Sequence, residues 1–256
     1  MHNAGGQKRI YIEEGCKDEA ESLYYRSPRG LGLGFVKVLM EQNYRVYAGS
    51  YKGDLHELPE MKQLYPEDLI IIPLDVTNDE SVRFAADAIA KDTDVLNLLI
   101  NTAGIACDRS GNILEKQFYE DIIALYQTNT LGPLRVTQSV LELLLKADDK
   151  TLLNISSIAG SVGSVTRIHQ YGYTMSKAAL NMQSKLIHNH LKAQGLKVFA
   201  IHPGWMHTHL FGDLDRMKAA PFEPIESARS IIQLIKNKKV VDDNIYMDYE
   251  GNLLPW

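Results

Sequence analysis

Residues 151–204 read TLLNISSIAGSVGSVTRIHQYGYTMSKAALNMQSKLIHNHLKAQGLKVFAIHPG. A short apolar run, Thr151–Ser156, precedes a long amphipathic stretch, Tyr173–Ala193, and a second β-branched run, Lys197–His202. Period-2 and period-3.6 patterns in that order predict strand, helix and strand. Gln194-Gly195 closes the helix, with glycine near the C′ position, where a left-handed backbone is wanted. Two strands joined through a helix run parallel, and the crossover is right-handed. Within the helix, Tyr173 and Lys177 stand four residues apart, so their side chains share one face.

The same alternation extends outward in both directions. Further strands are predicted at Arg9–Ile12, Arg45–Ala48, Leu69–Leu74, Val95–Asn101 and Asn244–Asp248. Helices are predicted at Leu31–Gln42, Asp79–Lys91, Glu115–Lys146 and Pro224–Lys236. Asn78-Asp-Glu supplies a start signal for the second of these. The expectation is an α/β domain spanning residues 1–256, with a doubly wound parallel Rossmann-type sheet of about seven strands and helices on both faces. In such a sheet, ligands bind beyond the carboxyl ends of the strands.

The composition narrows the function classes. The chain has 256 residues, 45% apolar and 23% charged, which suits one large globular domain. A net charge of −5 argues against a polyanion-binding surface, so no nucleic-acid partner is expected. There is no apolar run long enough to span a membrane and no signal-peptide pattern at the start. Cys16 and Cys107 lack metal-ligand spacing and suit a reducing cytoplasm. The His188/His190 and His207/His209 pairs have no nearby ligand set, and no metal is expected.

Several predicted strands end in residues that can do chemistry. The fourth runs into Asn101-Thr-Ala-Gly104, whose small residues allow close approach to a flat ligand. The fifth ends in Asn154-Ile-Ser-Ser157-Ile-Ala-Gly160, the sixth in His202-Pro-Gly-Trp205, and the third in Leu-Asp75-Val-Thr. A tyrosine with its ordinary pKa near 10 exchanges protons poorly at neutral pH, and a nearby lysine cation favours the phenolate. Lowering that pKa to about 7 would take roughly 4 kcal/mol of differential stabilisation. The Tyr173/Lys177 pair therefore points to proton transfer.

Taken together, these residues resemble the short-chain dehydrogenase/reductase family over nearly the full length. The matching motifs are R-G-L-G at 29–32, L-D-V-T at 74–77, N-T-A-G at 101–104, Asn129 in T-N-T-L-G-P, Ser157, Tyr173/Lys177 and H-P-G-W at 202–205. Within the family the chain is most similar to the C-factor and sniffer-type carbonyl reductases. The grounds are G-L-G-L-G-F-V at 30–36, H-P-G-W and the closing Asp248–Trp256 segment. The resemblance implies a catalytic set of Asn129, Ser157, Tyr173 and Lys177. Tyr173 would exchange the proton, Lys177 would lower its pKa and hold the nicotinamide ribose, and Ser157 would donate to the substrate oxygen. Asn129 would hold a water linking Lys177 to solvent. The implied cofactor contacts are Gly15, Arg29, Gly30, Leu31, Gly32, Ser50, Lys52, Asp75, Val76, Asn101, Ala103, Gly104, Tyr173, Lys177, Pro203, Gly204 and Thr208. Ile105, Val162, Tyr171, Trp205 and His207 would line the pocket for a small to medium carbonyl substrate. The long helices pair subunits in many relatives, which implies a homodimer or homotetramer.

The second strand leads into Ala48-Gly-Ser-Tyr-Lys52, with no carboxylate before Asp54 to bond a ribose 2′-hydroxyl. Ser50, Lys52 and Arg29 could instead hold a 2′-phosphate, which favours NADP(H) over NAD(H). The family pattern breaks at the first turn. With Arg9–Ile12 as the preferred first strand, Glu14-Gly15 replaces Thr-Gly, and an insertion at 16–26 separates Gly15 from Ser27-Pro-Arg-Gly30. The insertion is a flap over the cofactor, a neutral loop or an obstruction. The first two leave an NAD(P)(H)-dependent oxidoreductase, and the third leaves a binding or regulatory protein on the same fold.

Overall fold

The structure, a computed structural model, describes residues 8–13, 30–51, 55, 57–106, 108–207, 220–237 and 243–256, without the side chains of 11–13. The chain runs β1 (Arg9–Glu13), α1 (Leu31–Met40), β2 (Arg45–Ser50), α2 (Leu58–Leu64), β3 (Leu69–Pro73), α3 (Asp79–Asp92), β4 (Leu98–Asn101), α4 (Tyr119–Tyr126), α5 (Gly132–Leu145), β5 (Thr151–Ile155), α6 (Tyr171–Leu191), β6 (Lys197–His202), α7 (Pro224–Asn237) and β7 (Tyr246–Asp248). The seven strands form one sheet in the order β3-β2-β1-β4-β5-β6-β7, with every neighbouring pair parallel. The chain's winding reverses between β1 and β4, which opens a crevice at the carboxyl edge. Arg9–Ile12 is thus the first strand. The whole 16–26 insertion lies outside the described residues.

Consecutive strand residues point to opposite faces, and the two cores divide accordingly. Val46, Ile100, Leu153 and Phe199 pack with Phe35, Val36 and Leu39 of α1 and Ile231, Ile232 and Ile235 of α7. Their neighbours Tyr47, Leu99, Leu152 and Val198 pack with Val82 and Ile89 of α3 and Val136, Val140 and Leu144 of α5. Each such side chain contributes about 1.5–3 kcal/mol when fully buried. Helix α1 is buried at nine of its ten positions because α7 covers the side turned from the sheet. Gly34 makes that fit: a Cβ there would stand 3.0 Å from the Pro224 carbonyl oxygen.

The stretch read as one helix over Glu115–Lys146 is two helices separated by a π-turn, Gln127–Leu131. Pro133 explains the break. It has no N–H to give the Asn129 carbonyl four residues back, and its ring crowds that carbonyl. The Gly132 amide bonds instead to the Gln127 carbonyl, five residues back. The short helix α2 has only two turns, and the periodicity of the sequence does not mark it. Asn78 caps α3 as expected, accepting from the Glu80 and Ser81 amides at 2.9 and 3.0 Å. Helix α6 winds through a 3-10 turn into Gly195, whose φ of +82° is left-handed.

Candidate active site

The carboxyl edge around β4, β5 and β6 gathers the chemistry. Lys177 and Tyr173 lie on the buried face of α6, one turn apart. The Lys177 Nζ donates to the Ile155 carbonyl at the end of β5, at 2.9 Å, and stands 6.0 Å from the centre of the Tyr173 ring. Tyr173 packs with Ile105, Leu125 and Ala159, and its phenol faces the Ser157 side chain. The Ser157 Oγ also accepts from the Ala159 amide at 3.2 Å, which fixes the start of a 3-10 turn over Ile158–Gly160. Gly104 completes the group. A Cβ built on it would lie 3.5 Å from Asn129 Oδ1 and 3.8 Å from Lys177 Nζ.

The Asn129 side chain has three hydrogen-bond contacts. The π-turn aims its side chain inward, where it is fully buried. Its Oδ1 accepts from the Ile105 amide at 2.9 Å, and its Nδ2 donates to the Ile105 carbonyl at 2.9 Å and to Ser176 Oγ at 3.0 Å. The side-chain amide is therefore committed to clamping the loop after β4.

Burial disfavours the phenolate and holds the Tyr173 pKa above its ordinary 10. The Ser157 hydrogen bond and the Arg167 charge push it back down without overcoming burial.

The remaining expected residues divide into three groups. Gly15, Arg29, Lys52 and Thr208 lie outside the described residues. Gly30, Leu31, Gly32, Ser50, Ala103, Gly104, Pro203 and Gly204 sit at the carboxyl edge. Among the described residues, Gly30 caps α1 with no side-chain hydrogen bond, the first turn holds no acid, and a Cβ on Gly30 would meet nothing within 4 Å. That uncapped, open helix start fits a bound phosphate. Gly204 has φ +85°, and a Cβ there would strike the Phe222 ring at 2.7 Å. The third group has architectural contacts. Asp75 Oδ1 accepts from the Thr77 amide and hydroxyl at 2.9 and 2.7 Å, and Val76 packs under Gly132. Asn101 Nδ2 joins β4 to β5 through Asn154 Oδ1 at 2.7 Å.

Of the pocket residues, Ile105 is buried against Tyr173, while Val162 and Trp205 are exposed. Tyr171 begins α6, and His207 Nδ1 is bonded to Glu223 at 2.8 Å. Sequence reading missed Asp108, whose Oδ2 accepts from the Gly172 and Tyr173 amides at 2.8 and 3.3 Å. This carboxylate, 64 residues away in sequence, caps the helix that carries the tyrosine. It also missed Asn181, although its i+4 and i+8 spacing from Lys177 and Tyr173 put it on their face.

A family model described as short chain dehydrogenase matches residues 27–219. An uncharacterized oxidoreductase of Schizosaccharomyces pombe is 31% identical over 242 residues, covering 89% of this chain and 94% of its own. The carbonyl reductase Sniffer of D. melanogaster superposes with a TM-score of 0.83 at 27% identity, covering 98% of this chain and 100% of its own. An NADPH-bound carbonyl reductase from chicken fatty liver gives 0.81 at 31% identity, with the same coverage. The edge motifs, the sheet order and these likenesses agree, and the chain belongs to the short-chain dehydrogenase family of oxidoreductases.

Proposed function

We propose that this protein is an NADP(H)-preferring reductase that interconverts a carbonyl and an alcohol on a small to medium substrate. The observation that carries this reading is the Tyr173 phenol facing the Ser157 side chain, beside a Lys177 ammonium anchored on the Ile155 carbonyl. In the reduction direction, the bound nicotinamide supplies the hydride. Tyr173 gives its proton to the substrate oxygen, and Ser157 donates to that oxygen as negative charge builds. Lys177 supplies positive charge beside the phenol and holds the cofactor ribose. Pro133 cannot donate to the Asn129 main-chain carbonyl, so that carbonyl, rather than the Asn129 side chain, holds the water through which Lys177 is reprotonated.

The uncapped start of α1 takes the pyrophosphate, with Gly30, Leu31 and Gly32 offering main-chain approach. Ser50, with Lys52 and Arg29, takes the 2′-phosphate. The NADPH-bound carbonyl reductase among the structural likenesses supports the same preference. Ile105, Val162, Tyr171, Trp205 and His207 form the substrate walls. Exposed Ile123 and Tyr126 on α4 and Met175, Met182 and Leu186 on α6 support a homodimer or homotetramer built on those helices. Sedimentation of the purified protein as a monomer at micromolar concentration would dismiss that assembly.

Fluorescence titration with NADPH and NADH tests the central reading. Saturable micromolar NADPH binding, tighter than NADH, with turnover of a carbonyl panel is expected. No saturable binding of either nucleotide refutes it and favours a binding or regulatory protein. A parallel deletion of residues 16–26 reads the insertion directly: tighter binding marks an obstruction, and lost binding marks a flap.

A further inference from the structure

The loop that carries Ser157 is held from behind by buried polar groups that never face the substrate. Tyr246, on β7, is fully buried, and its hydroxyl donates to the Ser157 carbonyl at 2.7 Å across 89 residues of sequence. Burial pushes the Tyr246 phenol up to about 12, so it stays protonated and donates throughout the working pH range. Its hydroxyl also meets the side chain of Asn181 on α6. Asn181 reaches the same loop twice. Its Nδ2 donates to the Gly160 carbonyl at 3.2 Å, and its Oδ1 accepts from Ser156 Oγ at 2.5 Å.

The chain's last residues grip the far end of the loop. Ser161 Oγ donates to the Pro255 carbonyl at 2.6 Å, and the Gly163 amide donates to Trp256 O at 2.7 Å. The Trp256 ring packs on the Tyr246 ring with centres 5.4 Å apart, which joins the two grips. The segment that follows β7 folds back beside it, through a Met247–Leu253 bridge and a Leu254 amide bonded to the Tyr246 carbonyl.

We infer that Tyr246 is a positioning residue: with the segment that follows β7, it sets the height of Ser157 against the Tyr173 phenol. This rests on the reductase reading above, and it adds that the catalytic geometry is tuned from the sheet's last strand. A fully packed tyrosine would fill this space as well without a hydroxyl. What the hydroxyl adds is a donor for one carbonyl, and that carbonyl belongs to Ser157. Phenylalanine keeps the packing and leaves the carbonyl without that donor.

The test compares Tyr246→Phe with the parent, and adds Ser161→Ala, which loosens the other end of the loop and keeps the packing in case the first variant folds poorly. The expected result is a kcat roughly tenfold lower, with NADPH affinity within about twofold. The alkaline limb of the pH–rate profile moves upward because the Tyr173 phenol loses the stabilising hydrogen bond from Ser157. A variant that only melts earlier, with kcat and that limb unchanged, overturns the inference. The 13C resonance of the Tyr173 ζ-carbon gives a readout that needs no turnover. It shifts in both variants if Ser157 is displaced, and an unmoved resonance overturns the inference even in a protein that reduces nothing. A parent inactive on every carbonyl tried refutes the reductase reading separately.

Discussion

Gly160 separates the Ser157 loop from α6 by the width of one methyl group. A Cβ at this position would stand 2.7 Å from the Lys177 carbonyl carbon, 2.8 Å from its oxygen and 3.0 Å from the Ala178 nitrogen. All three atoms are main chain in the middle of a long helix, so no flexible side chain can yield. Ordinary contact begins at 3.4 Å, so Gly160→Ala must push loop and helix about 0.7 Å apart. The Gly160 carbonyl is held by Asn181 at 3.2 Å on the same helix, so the loop cannot move without straining that bond. The cost of such overpacking is about 1–3 kcal/mol. For a chain of this length each kcal/mol lowers the melting temperature by about 2–4 °C, giving a fall of about 2–12 °C. The displaced loop carries Ser157, and the displaced helix carries Tyr173 and Lys177. A misplacement near 1 Å costs on the order of 10²-fold in rate, so kcat should fall about 10–100-fold. Calorimetry with steady-state NADPH oxidation reads both quantities. A melting temperature within about 1 °C of the parent and kcat within twofold would refute the reasoning, because loop and helix would then not be rigidly apposed.

Tyr173→Phe should abolish carbonyl reduction and leave NADPH affinity within a few-fold; retained turnover would mean that another group delivers the proton. Asp108→Ala removes the acceptor for the Gly172 and Tyr173 amides and should cost about 1 kcal/mol. Asp108→Asn, which keeps an acceptor, should recover most of that loss, and equal denaturant midpoints for both variants would argue against the cap. His202, the last residue of β6, is held by burial at about 4, below its ordinary 6.5. As pH falls the unfolded chain takes up the proton first, so this stability is complete above about pH 6.5 and is lost toward pH 4, by roughly 3 kcal/mol. His202→Gln should flatten that limb in urea midpoints measured against pH, and an unchanged slope would assign the acid loss elsewhere.

The sheet was legible because a parallel strand buried on both faces writes itself as a short apolar run between amphipathic segments. Thr151–Ile155 and Lys197–His202 are observed within a residue of their predicted bounds. Tyr173 and Lys177 were legible because both lie on one helix at a spacing that fixes their shared face. The π-turn was not, since Gln127–Leu131 has ordinary helix-compatible residues and only Pro133 hints at a broken ladder. Asp108 and Tyr246 were hidden for a different reason. Asp108 acts through bonds from the Gly172 and Tyr173 amides, 64 and 65 residues away, and Tyr246 through its bond to the Ser157 carbonyl, 89 residues away, and no periodicity records such pairings. The bond by which the Asn101 side-chain amide ties β4 to β5 was hidden in the same way.

The burial of Tyr173 bears on how the proposed chemistry is balanced. An apolar setting of Ile105, Leu125 and Ala159 stabilises the neutral phenol, which is the form needed to protonate a carbonyl oxygen. The same setting penalises the phenolate left behind after transfer. Ser157 and Arg167 offset part of that penalty in the structure, and both do so from the substrate loop rather than from α6. The Lys177 ammonium sits one helical turn further on, bonded to the Ile155 carbonyl at the end of β5. Proton release in the proposed reaction therefore rests on two supports: a cation held at the end of β5, and a serine whose loop is held by Tyr246 and residues 255–256. Loosening the second support should shift the pH dependence of turnover without disturbing cofactor affinity, whereas removing the first should damage both, because Lys177 alone is assigned to phenol and ribose together.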